Sequence, residues 1–203
     1  MATITISRQM GSLGSQIARM LGERLGYRVV WREVINQAAI RAGVPEVALA
    51  TIDELGLLQL RPTAKARRAY HQAIQQIMDE LAAEGNVVIV GRAGQVVLRD
   101  RPQVLHVRIT APAELRAKRV AEAQGITMEQ ARAQIEASDR TRRAYLRRYY
   151  HVNWDDPELY DLVINTARLS PECAVDIICA AVQVVCVSGQ REGANPAVGR
   201  EPS

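Results

Sequence analysis

The chain is expected to fold as an α/β protein whose doubly wound sheet has about five parallel strands. Three observations predict this. Short runs rich in β-branched residues alternate with longer stretches of helical periodicity. One run, Val87 to Val90, is continuously apolar, as a strand buried on both faces must be. The first strand passes through a glycine-bearing turn directly into a helix. Strands separated by helices pair in parallel through right-handed crossovers, so ligands are expected beyond the carboxyl ends of the strands.

The elements follow in order. Thr3 to Ile6 reads as the first strand, and Ser7 to Ser15 as a polar turn carrying Gly11 and Gly14. Ile17, Ala18, Leu21 and Leu25 then recur at helical spacing. Tyr27 to Trp31 is a second strand. Glu33 to Ala42 has helical character and stops at Gly43, with Pro45 beyond. Glu46 to Arg61 shows no clear pattern. Lys65 to Glu84 is a long helix with Ile74, Ile77, Met78 and Leu81 on its inner face and Gly85 closing it. Val87 to Val90 and Val104 to Ile109 are strands. Pro112 to Gln124 is a helix ended by Gly125, and Thr127 caps another whose body is Met128 to Ile135. Helical character continues from Arg140 to Tyr150. Trp154 to Pro157 reads as a turn. Asp161 to Asn165 is the last strand, and Pro171 opens a final helix reaching about Val187. Residues 188–203, rich in Gly, Pro, Ser and charge, are expected to be a disordered tail after a single domain spanning 1–187. There is no internal repeat.

Composition narrows the function. The chain has 203 residues and no Phe, so its core must be aliphatic. Lys65 and Lys118 are the only lysines, and every other basic residue is arginine, the side chain suited to bidentate phosphate contact. A net charge of +4 is modest for a nucleic-acid binder and argues against that class. Cys173, Cys179 and Cys186 lack metal-ligand spacing and are expected to be buried, reduced thiols. A strand at the N-terminus with no secretory leader, and no apolar run near the roughly 18 residues of a membrane span, point to the cytoplasm.

Three stretches could carry chemistry. In the first turn, loop amides and a helix N-terminus can cradle phosphate, or the turn is an ordinary connection. The phosphate-loop motif G-x-x-x-x-G-K-[ST] is only partly met. Gly14 occupies the lysine position and Gln16 the hydroxyl position, while Arg8 flanks the turn. Next, Gly91-Arg92-Ala93-Gly94 follows the third strand at its carboxyl end, where two glycines let backbone approach an anion; a tight turn with a solvated arginine is the bland reading. Last, the segment from Ser138 to Tyr150 is arginine-rich. Arg140, Arg143 and Arg147 share one helical face, and Asp139, Arg142 and Tyr149 lie on or near another. It reads as a cover for a polyphosphate, joined by Arg116 and Arg119, as a solvated face, or as a nucleic-acid surface. His71, His106 and His151 are scattered, and no triad or zinc site accompanies them.

Together these stretches resemble the cytidylate kinase-like family, a branch of the P-loop nucleoside monophosphate kinases. The resemblance runs from Ile4 to about Val184 through ITISRQMGSLGSQIARMLGERLGY, VVIVGRAGQVVL, ITAPAELRAKRV, DRTRRAY and YDLVINTARLSPECAVDII. It implies a three-layer α/β/α P-loop kinase-like fold with an arginine-rich helical lid at about 119–150 and an acceptor-side helical region at about 32–85. It also implies transfer of the ATP γ-phosphoryl group, with Mg2+, to a nucleoside monophosphate (CMP-like) or another small acceptor. By position, Arg8, Gly11, Ser12, Leu13, Gly14, Ser15 and Gln16 form the donor loop. Arg92, with Gly91 and Glu33, falls on the acceptor side, and Arg142, Arg119 and Asp139 are the catalytic candidates. The metal ligands and the oligomeric state stay open. The chain departs from cytidylate kinases at Gly14, at Trp31, where the family commonly has an aspartate, and at Ala93, where those kinases have another. Those departures motivate the alternative of a non-catalytic nucleotide- or phosphate-binding regulatory protein on a kinase frame.

Overall fold

The computed structural model describes residues 2–31, Ile35, Ile40, Arg41, Gly43 and 63–192. The helix expected from Glu33, Glu33 itself, the stretch 46–61 and residues 193–203 lie wholly or almost wholly outside the described residues.

Five strands, β1 (Thr3–Arg8), β2 (Arg28–Trp31), β3 (Val87–Val90), β4 (Val104–Thr110) and β5 (Leu162–Asn165), form one sheet in the order β2-β3-β1-β4-β5. Every pairing is parallel. The helices among the described residues are α1 (Gly14–Leu25), α2 (Ala64–Glu84), α3 (Gly94–Val97), α4 (Ala113–Gln124), α5 (Met128–Tyr150) and α6 (Pro171–Glu192). The expected fold class is therefore the observed one. No helix among the described residues is long and apolar enough to cross a membrane.

Side-chain alternation divides the sheet into two faces. Ile4, Ile6, Val88, Val90, Leu105, Val107 and Ile109 meet Ile17 and Leu21 of α1 and Ile178 of α6. On the opposite side Val87, Ile89, Val104 and Val30 meet Tyr70, Ile74 and Met78 of α2. Each fully buried aliphatic side chain contributes about 1.5–3 kcal/mol. The aliphatic packing thus anchors β1 and β3, and each strand ends at a glycine-bearing loop.

One detail extends the expectation and two differ from it. α5 is one unbroken helix, begun by a capping box in which Thr127 and Gln130 satisfy each other's backbone N–H. α6 continues to Glu192, so Ser188 to Glu192 are helical rather than part of a disordered tail. Cys173 is exposed, and Cys179 is half-buried at the margin of the core between the sheet and α6.

Candidate active site

The first loop begins where β1 ends. Gln9 N–H donates to Ile109 O at 3.2 Å, fixing the chain's exit from the sheet. Ser12 is fully buried, and its hydroxyl donates to Gln9 O at 2.8 Å, so that side chain serves the loop itself. Leu13 takes the left-handed conformation, φ 64°, and precedes α1 without offering a capping side chain. The first turn of α1 has no acidic residue. Its leading amides and dipole therefore face the loop as an anion-binding end. The residue directly after Gly14 is Ser15, so the motif's hydroxyl falls on Ser15. Assigning it to Gln16, which is exposed, is one residue out of register.

Arg8 crosses this loop. A Cβ on Gly14 would lie 2.5 Å from Arg8 Cβ. Farther along, Arg8 Nε donates to Ser15 Oγ at 3.4 Å, and Nη1 lies 3.2 Å from where Gly91 would carry a Cβ. The guanidinium thus bridges the ends of β1 and β3.

The second loop is held in an unusual conformation. Gly91, Arg92 and Ala93 have φ of 86°, 55° and 56° in succession. Two consecutive non-glycine residues in this region cost about 1–3 kcal/mol each, and such strain gathers at functional sites. Its effect is to bury Arg92, which is 6% exposed, while among the described residues its Nε and Nη2 find no hydrogen-bond partner. Arg92 Cζ lies 5.9 Å from the ring centre of Tyr145 on α5. Burial pushes the Tyr145 phenol up to about 12, against the pull of Arg92.

Arg142, Tyr145 and Leu146 of α5 close over both loops. Between them lies a cavity of about 60 Å³, lined by Ser7, Arg8, Arg92, Gln95, Arg142 and Trp154 among others. It has room for a few waters or one phosphate-sized group. Arg140, Arg143 and Arg147 point outward instead: each is exposed, and Arg140 lies 3.9 Å from Glu136. The face of α5 that covers the loops therefore carries Arg142, not the Arg140 row.

Arg116, Arg119 and Asp139 are brought to the loop from its other side. Arg116 donates to Ala111 O at 3.0 Å, to Met10 O at 3.2 Å and to Asp139 Oδ2 at 2.9 Å. Arg119 donates to Thr166 O at 2.8 Å and Thr166 Oγ1 at 2.9 Å, with Gly11 O at 3.4 Å, and partial burial lowers its pKa. None of the three lines the cavity. These guanidiniums are spent on carbonyls and a carboxylate, and they brace the loop.

Sequence reasoning missed the cluster around Trp154. Its indole N–H donates to Ser7 Oγ at 2.8 Å, and its carbonyl accepts from Tyr160 Oη at 2.9 Å and from Arg108 Nη1. Arg108 Cζ sits 4.5 Å from the Trp154 ring centre and 5.3 Å from that of Tyr160. Asp155 accepts from Arg108 and from Arg143, the latter at 2.6 Å. Burial raises the Asp155 pKa, and the two guanidiniums outweigh it, leaving the carboxyl below its ordinary value. Only the expected turn at Trp154 to Pro157 signalled anything here; the partners are far away in sequence.

Among the described residues no three His, Cys, Asp or Glu gather as metal ligands. A magnesium ion arriving with a nucleotide would be ligated mainly by phosphate and water. Ser15 Oγ, after the lysine position, would be the loop's hydroxyl ligand.

Comparison with known proteins agrees with this fold. The model of the cytidylate kinase-like family matches residues 3–168. A protein named cytidylate kinase from Ignicoccus hospitalis is 33% identical over 179 residues, covering 88% of this chain and 97% of its own. A cytidylate kinase from Pyrococcus horikoshii is 30% identical over 181 residues, covering 88% and 87%. Among solved structures, an uncharacterized protein from Eubacterium ventriosum superposes with a TM-score of 0.70 at 20% identity, covering 90% of this chain and 99% of its own. A gluconokinase from Sinorhizobium meliloti superposes at 0.56 and 16% identity, covering 96% and 98%. At those identities the structures speak to the fold alone. With the family model matched over most of its length, the chain belongs to the cytidylate kinase-like family.

Proposed function

We propose that this protein is a phosphotransferase that moves the terminal phosphoryl group of ATP to a phosphate-bearing small acceptor, of which a CMP-like nucleoside monophosphate is the first candidate. The observation that carries this reading is Arg92. A guanidinium that is 6% exposed and has two nitrogens without a partner among the described residues is costly to bury, and an anionic ligand in the adjoining cavity is its natural complement. Family membership supports the choice of phosphoryl transfer over simple anion binding.

In this reading the donor's phosphates lie against the amides at the start of α1 and against Arg8. The acceptor's anion lies against Arg92, and Arg142 approaches from α5 between them. The oxygen–phosphorus bond to the donor breaks as the bond to the acceptor oxygen forms, and the arginines stabilise the charge spread over the transferring group. Magnesium, when bound with the nucleotide, neutralises donor phosphate charge. The lid role of residues 119–150 is part of this proposal. In it α5 swings away for entry, and its closure excludes water afterwards. Arg119 and Asp139 then act by bracing the loop rather than by touching the phosphoryl group.

The test is ADP formation by purified protein given ATP, magnesium and a panel of nucleoside monophosphates and small phosphorylatable metabolites. Turnover with at least one acceptor is expected. Nucleotide binding with no ADP from any acceptor would instead establish the regulatory, non-catalytic alternative, which Gly14 at the lysine position favours.

A further inference from the structure

We infer that Arg8 supplies the charge of the missing loop lysine, and that position 14 is glycine because Arg8 occupies its space. This rests on the phosphotransferase reading and identifies the residue that makes it workable without a lysine.

Counted along the motif, Arg8 stands at the first glycine, Leu13 at the second and Gly14 at the lysine. The loop keeps its shape all the same, since Leu13 holds φ 64°, the left-handed conformation a glycine would take there. The two charge changes are reciprocal. An ideal Cβ at position 14 meets Arg8 Cβ at 2.5 Å, Arg8 Cγ at 3.1 Å and Ile109 Cβ at 3.2 Å. A Cβ is fixed by the backbone and cannot rotate aside, so a side chain at position 8 excludes one at position 14. If position 8 were glycine, the two nearest of these contacts would be gone, leaving a tight approach to Ile109 Cβ that a shift of a few tenths of an ångström relieves. Gly14 itself lies in the first turn of α1 and is not among the positive-φ residues, so its backbone accepts lysine.

The charge also has the right reach. From above Gly14, the Arg8 side chain passes Ser15 Oγ and ends over Gly91, beside the loop that aims Arg92. It lines the same cavity as Arg92 and Arg142. A lysine growing from the start of α1 would enter this space from the helix side. Arg8 enters from the strand side and brings a forked donor in place of a point charge.

The experiment is a two-position cycle with Arg8→Gly, Gly14→Lys and the double variant. It reads the thermal midpoint of the ligand-free protein and the affinity for magnesium ATP by calorimetry. Gly14→Lys should lower the midpoint by several degrees or fail to fold, and adding Arg8→Gly should restore it. Arg8→Gly should weaken ATP binding by about tenfold or more. The double variant should recover to within about threefold of the parent protein. Unchanged binding in Arg8→Gly, or a double variant as weak as the two singles combined, overturns the inference while leaving the functional reading in place. A double variant no better folded than Gly14→Lys overturns the steric argument. Absence of ATP binding in the parent protein defeats the functional reading itself, and this inference with it.

Discussion

Arg116 and Arg92 are almost equally buried, at 5% and 6% exposure, and they are used in opposite ways. Arg116 gives its nitrogens to two carbonyls and to Asp139, tying the loop after β1 to α4 and α5. Arg92 is turned inward by a strained left-handed turn and leaves two nitrogens unmet among the described residues. The lesson is that abundance of arginine near a loop says little about ligand binding. What separates a brace from a binding group is whether its donors are already answered by the protein.

The largest effect is expected from breaking the brace. Arg116→Ala strands the buried carboxylate of Asp139 and releases Met10 O, and it should destabilise the fold by about 3–5 kcal/mol in urea denaturation. A loss below about 1 kcal/mol would mean that Arg116 is no more structural than a surface residue.

Next come the cavity arginines, where function should fall and stability should not. Arg142→Ala should cut the turnover rate by about 10²–10³. Arg92→Met keeps the apolar stem, removes the unanswered charge and should raise the acceptor KM while leaving the urea midpoint equal to or above that of the parent protein. If Arg92→Met is as destabilising as Arg116→Ala, the distinction between the two arginines collapses.

The smallest effect concerns a basic group kept neutral. Burial lowers the His106 pKa below its ordinary 6.5, with nearby Asp161 opposing. The unfolded chain therefore takes up the proton first. Stability should be full above about pH 6.5 and should fall as the pH drops toward the folded value, by at most about 1.4 kcal/mol per pH unit from this group. His106→Gln should flatten the dependence of the thermal midpoint on pH between about 5.5 and 7.5. An unchanged slope would show that His106 does not carry it.

Much of the scaffold could be read from local pattern, because strand burial and helix caps are local. The run Val87 to Val90, the Thr127 cap and the glycines after α2 and α4 mark elements without reference to anything distant. The second loop was legible for the same reason: Gly91-Arg92-Ala93-Gly94 follows a buried strand. What stayed hidden depends on tertiary approach. Ser7 meets Trp154 only after the whole sheet has assembled. The commitment of Arg119 to Thr166, and the exclusion of a side chain at Gly14 by Arg8, are equally invisible in a linear chain. The exposed Cys173 was misjudged because small apolar residues on a helix give little sign of which side they face.

The indole of Trp154, clamped to Ser7 and flanked by Arg108 and Arg142, has a practical consequence. The chain contains only one other tryptophan, Trp31, at the far edge of the sheet. Swapping Trp31 for tyrosine would leave a single tryptophan, excited selectively at the red edge of the absorption band, beside α5. Its quantum yield would report whether the proposed lid motion of α5 occurs, without any label.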